Sequence, residues 1–158
     1  MFSPHRLLPI SVFLGGSFLL HLFWENLQAP LYEGFTSFRQ HFWICFKATW
    51  GDLLFMLLIY AALAVLHRDM FWIADRSAYS NPATWIISVL ISVLISVLIS
   101  VLLVVSFEFW AVYVDHRWQY AETMPLIPVL HIGLTPVLQM LFIPLAVLFL
   151  TSRSSRLI

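Results

Sequence analysis

Four long apolar runs, at about residues 7–29, 44–66, 84–112 and 126–150, constrain this chain more than any other feature. A helix needs roughly 20 largely apolar residues to cross about 30 Å of hydrocarbon, and each run meets that length. With 61% hydrophobic and 10% charged residues among 158, no soluble core accounts for so much apolar surface. The expected fold class is all-α: one integral membrane domain over residues 1–158, built as a bundle of four transmembrane helices. Net charge is zero, which leaves no basic surface for nucleic acid. Cys45 is the only cysteine, so no intrachain disulfide can form.

Pro30 ends the first run, because a proline cannot continue the helical ladder without strain. The connection PLYEGFTSFRQHFW is aromatic and suits a membrane interface. HRDMFWIADRSAYSNP, residues 67–82, is the clearest loop. The last helix is expected to begin near Pro125 and Pro128 and to bend at Pro136 and Pro144. Polar residues sit within the N-terminal run itself, so it reads as an uncleaved span. With four spans, Arg6, Arg68, Arg76, Arg153 and Arg156 fall on one side, and Arg39 and Arg117 on the other. That bias predicts cytoplasmic termini in a cell inner membrane.

The tandem ISVL units of residues 87–102 place Ser88, Ser92, Ser96 and Ser100 about 40° apart per step around a helix. They form a slowly winding stripe of small residues. Slippage of the coding repeat explains that pattern as well as helix packing does, and the run extends the third helix to roughly 43 Å.

The polar residues are more informative. His21, Glu25, Asn26, Gln28, Lys47, Asp52, Glu108 and His131 all fall in the half of the bundle away from the termini. Ionisable residues inside spans usually face the protein interior or a wet cavity. His21, Glu25 and Gln28 follow i, i+4, i+7 spacing and share one helix face. At about 1.5 Å per residue, Glu25, Lys47 and Glu108 lie roughly 6 Å inside, and His21 and Asp52 roughly 12–13 Å. The levels predict that Lys47 bridges Glu25 and Glu108, with His21 meeting Asp52 below. Gln139 is placed deeper, near 20 Å, as a link between helices.

The candidate catalytic residues are therefore His21, Glu25, Asp52 and Glu108. Burial alters the proton affinity of carboxyls and suits them to acid–base work. Gln28, Lys47, His116, Arg117 and His131 are the candidate ligand-binding residues, with His116 and Arg117 at the mouth as contacts for an anionic headgroup. Each has a plain structural alternative: Lys47 snorkels, His131 sits in a wet loop, and the aromatics of EFWAVYVDHRWQY form an interface belt. His21-x-x-x-Glu25 has a chelating spacing, but no histidine array accompanies it, so no metal or other cofactor is expected. No glycine loop for phosphate and no catalytic serine constellation is present.

H-x-x-W-E-x-x-Q-x-P-L-Y (residues 21–32), C-x-K-A-T-x-G-D (45–52), R-W-x-Y-x-x-x-M-P (117–125) and G-L-x-P-x-L-Q (133–139) together resemble a group of small bacterial integral membrane proteins with four helices. The resemblance implies bacterial origin and a shared four-helix design, and it implies no particular activity. A fainter likeness, through His21-x-x-x-Glu25, is to the sterol-isomerase and sigma-2-receptor fold, whose other motifs are absent. Three functions fit the sequence. The first is a membrane protein binding or converting an amphipathic lipid or isoprenoid by acid–base chemistry, with membrane lipids as partners. The second is a small carrier or channel component using the same residues for protons or ions. The third is an accessory subunit whose polar face packs on another membrane protein.

Overall fold

Along the first helix, α1 (Pro4–Gln28), the buried positions are Pro9, Phe13, Ser17, His21 and Gln28, with Trp24 half-buried between the last two. Steps of three and four residues keep them on one face, and that face turns from apolar to polar toward Gln28. The computed structural model describes residues 4–75, 98, 101–102, 104–116, 118–128 and 131–155. Among them the chain is helical, with no β-strand.

The second helix, α2 (Phe38–His67), buries Cys45, Thr49, Met56, Ile59 and Leu63, with Asp52 half-buried in the same series. Alternating steps of four and three residues form a seam of the coiled-coil kind. The helix starts at Phe38 rather than near 44 because Ser37 caps it, its side chain accepting from the Gln40 amide at 3.4 Å. Arg68 closes the other end in the left-handed conformation, with its amide bonded to Ala64 and Val65 carbonyls.

A shorter apolar helix, α3 (Val104–Val114), widens to a π turn over Trp110–Val114. Val104, Glu108 and Ala111 are its buried face, and Phe107 meets Phe55 of α2 edge-on at 5.9 Å. Most of the expected third span, including the ISVL run apart from Leu98, Val101 and Leu102, lies outside the described residues.

The last helix, α4 (Leu134–Ser154), begins well beyond the expected 126. Before it, Leu134 bonds back to Pro125 at 2.8 Å and Ile127 to Ile132 at 2.8 Å, and residues 125–128 and 131–133 are not helical. Pro128 cannot donate to a helical ladder, and His131 takes a positive φ of 52°, which stops a helix there. Pro136 consequently falls in the first turn of α4, where its missing N–H breaks nothing. Pro144 stands in the interior. Pro136, Met140, Ile143, Val147, Thr151 and Ser154 form the buried seam of α4.

α1 packs on both α2 and α4. At the end carrying residues 68–75, the interior is apolar: Phe13, Met56, Ile59, Leu63, Ile143 and Val147, closed by Trp72 and Ile73 from the loop after α2. His67 stacks on Trp72 at 5.1 Å. The outward faces are also apolar, with Leu19, Phe23, Leu54, Leu58, Phe142 and Phe149 exposed. Helices apolar on all sides belong in hydrocarbon rather than water. Three of them, α1, α2 and α4, are long and apolar enough to cross a membrane.

Candidate functional site

Opposite the apolar end, the same helix faces carry polar side chains that bond to one another. The small hydroxyls keep to their own helices: Ser17 donates to the Phe13 carbonyl at 2.6 Å and Thr49 to the Cys45 carbonyl at 2.8 Å. The long amides cross between helices. Trp24 Nε1 donates to Gln28 Oε1 at 3.2 Å. Gln28 Nε2 donates to Glu25 Oε1 at 2.8 Å and to Gln139 Oε1 at 3.1 Å. Gln139 Nε2 is 2.9 Å from both His21 Nδ1 and Asp52 Oδ2. One network thus joins α1, α2 and α4, and Gln139 is its hub.

His21 is fully buried, and its Nδ1 lies 3.4 Å from Asp52 Oδ2, so the expected His21–Asp52 layer is present. Asp52 keeps 15% of its side chain exposed, enough to be reached by another molecule. The upper layer differs from expectation. Lys47 is exposed and forms no ion pair among the described residues, so it does not bridge Glu25 and Glu108. Lys47 is five residues before Asp52, about 140° round the helix. If Asp52 faces inward, Lys47 faces out. Asn26 is also separate, donating to its own helix at Leu22 over 2.7 Å.

Glu108 is buried and accepts from the Tyr120 hydroxyl and, at 3.4 Å, from Trp118 Nε1. Glu25 stands within electrostatic reach of Asp52 and Glu108. Four candidate residues from three helices therefore gather in one region, with no cation from Lys47 among them. His116 and His131 are exposed on the loops, each at positive φ, and Arg117 lies outside the described residues. Among the described residues, no group of three His, Cys, Asp or Glu side chains is arranged to hold a metal ion.

The connections between helices cover this end. Glu33 donates to the Gln119 carbonyl at 3.0 Å and Ala121 to Leu31 at 3.0 Å, which sets Tyr32 opposite Tyr120. Tyr32 packs against Trp118 and Tyr120, with ring centroids 6.3 and 5.8 Å apart. Burial and the adjacent Glu108 hold the hydroxyls of both tyrosines above the ordinary tyrosine range. Gly133 makes room for this cover: a Cβ there would sit 3.1 Å from Tyr120 Cε1, 3.2 Å from Pro136 Cδ and 3.3 Å from Met124 Sδ. Tyr113 donates to the His131 carbonyl at 2.8 Å and ties α3 to the same loop.

A helix start near 126 puts Gln139 too deep for the site and leaves it a link between helices only. From Leu134 the residue is about 8 Å in, at the level of the site. Trp24, Tyr32, Trp118 and Tyr120 suit an interface belt by residue type alone, and their one sequence signal for the site is that all four lie within motifs whose residues converge here. Comparison with known proteins gives no match: no family model, curated protein or solved structure matches this chain.

Proposed function

We propose that this protein is a four-span bundle of the bacterial inner membrane, with both termini cytoplasmic, whose polar end binds the polar group of an amphipathic lipid or isoprenoid. Asp52, Glu25 and Glu108 are its acid–base groups, and His21 beside Asp52 is the second proton-handling side chain. The reading rests chiefly on one observation: a hydrogen-bonded cluster joins three helices at one end, while the other end is filled by Phe13, Met56, Ile59, Leu63, Ile143 and Val147. A site needs an enclosed polar chamber, whereas a path for ions needs polar groups along its whole length.

The apolar plug disfavours the carrier reading. Tyr60, one of its few polar candidates, spends its hydroxyl on the Met70 carbonyl in the loop. An accessory subunit would turn its polar stripe outward to a partner. Here His21, Gln28, Glu108 and Gln139 are each 5% exposed or less. The three carboxyls lie in a region without a paired lysine or arginine among the described residues, an arrangement that suits proton exchange with a bound polar group.

The test is mass spectrometry of lipids retained through purification in mild detergent. One lipid class should be enriched over the bulk membrane, and Asp52→Asn, which can still accept from Gln139, should change that enrichment. Retained lipid with bulk composition in both proteins would remove the binding reading.

A further inference from the structure

The network has a direction, and one residue sets it. An indole N–H only donates, so Trp24 obliges Gln28 to present its carbonyl oxygen. Gln28 must then offer its NH2 to Glu25 and Gln139, which makes the Gln139 atom 3.1 Å away an oxygen. Gln139 in turn offers its NH2 to His21 Nδ1 and Asp52 Oδ2, both at 2.9 Å. Both of those atoms are acceptors. The 3.4 Å approach of His21 to Asp52 therefore joins two acceptors that share one amide, not a donor and an acceptor.

His21 Nδ1 then carries a lone pair, and the ring proton belongs on Nε2. That nitrogen is buried and has no hydrogen-bond partner among the described residues. A buried donor left unpaired costs about 1–3 kcal/mol, so an occupant that accepts from it is favoured. We propose that Trp24 is a positioning residue which, through Gln28 and Gln139, fixes His21 as its Nε2–H tautomer, and that the site takes its ligand by an acceptor oxygen on that N–H. The tautomer stands on the geometry alone. Its use by a ligand rests on the binding function proposed above.

Nitrogen NMR of full-length protein labelled in the histidine rings reads the tautomer directly, with His21 assigned by its loss in His21→Gln. In the wild type, Nε2 should be protonated and Nδ1 not. Trp24→Phe removes the fixed donor and should give a mixture of both tautomers. Gln139→Glu, which offers only acceptors when ionised, should place a proton on Nδ1. An Nδ1–H tautomer in the wild type, or an unchanged Nε2–H tautomer in both variants, overturns the assignment. A farnesyl-length isoprenoid alcohol and the amine of the same chain length are then the ligand probes. The alcohol should shift the Nε2 resonance and the ammonium compound should not, and the reverse result defeats the acceptor-oxygen claim. If neither moves Nε2 while the wild-type tautomer holds, the orientation by Trp24 survives and the proposed ligand class fails.

Discussion

Gln139→Leu is the most informative substitution, because leucine keeps the bulk and removes every bond of the hub. Gln139 accepts from Gln28 and donates to His21 and Asp52, so three hydrogen bonds across helices disappear together. Hydrogen bonds between membrane helices average about 0.6 kcal/mol each, which sets a floor near 2 kcal/mol for the three. Stranding a buried polar group without water costs more, about 1–3 kcal/mol apiece. Asp52 is partly exposed and can recover a partner from outside, whereas His21 is completely enclosed and Gln28 is 5% exposed. The expected loss is therefore about 2–4 kcal/mol. Thr49→Val is the matched control: its hydroxyl bonds a carbonyl of its own helix, so its removal should cost well under about 1 kcal/mol. Reversible unfolding in bicelles, followed by steric trapping, measures both. A double-mutant cycle with Gln28→Leu should give a coupling of about 0.5–3 kcal/mol. Equal losses for Gln139→Leu and Thr49→Val, or strict additivity with Gln28→Leu, would refute the hub.

Other expectations follow from single contacts. Gly133→Ala pushes a methyl against the rigid ring of Pro136 and against Tyr120, and should destabilise by about 1–3 kcal/mol in thermal unfolding. Lys47→Met should change stability by no more than about 0.5 kcal/mol, because the lysine is exposed and has no ion pair among the described residues. Tyr32 and Tyr120 are held above their ordinary value of 10.0, so they resist ionisation when folded. The stability they supply is complete below about pH 10 and falls as pH rises beyond it, since only the unfolded chain ionises there. Tyr120→Phe should flatten that alkaline decline in unfolding curves. Cysteines placed singly at Glu33 and Ser77 in a Cys45→Ser background should react differently with an impermeant thiol reagent. Labelling of position 77 but not 33 in intact cells would reverse the proposed orientation.

The helices and the His21–Asp52 level were legible because length, apolarity and rise per residue depend only on the chain itself. Level alone was insufficient for Lys47. The seam Cys45, Thr49, Asp52, Met56 fixes which side of α2 faces inward, and applying it to residue 47 would have turned the lysine outward. Gln139 was misplaced for a different reason. The apolar stretch from 126 to 133 has helical hydropathy, yet residues 126–128 and 131–133 are not helical, and His131 is left-handed. Hydropathy does not register backbone geometry. The pairing of residues 31–33 with 119–121 left no local signal, because bridges between distant connections depend on how the helices are arranged.

The position of Gln139 on the last helix has a consequence for biogenesis. α1 and α2 leave the ribosome first, carrying His21, Gln28 and Asp52 toward hydrocarbon before the amide that joins them has been synthesised. Until α4 arrives, those groups must keep water or a temporary partner, and a half-made chain is poorly suited to release into lipid. The site is thus also the point at which synthesis of the bundle is completed. A chain stalled before Leu134 should remain with the insertion machinery, or be degraded, longer than one stalled after Ser154.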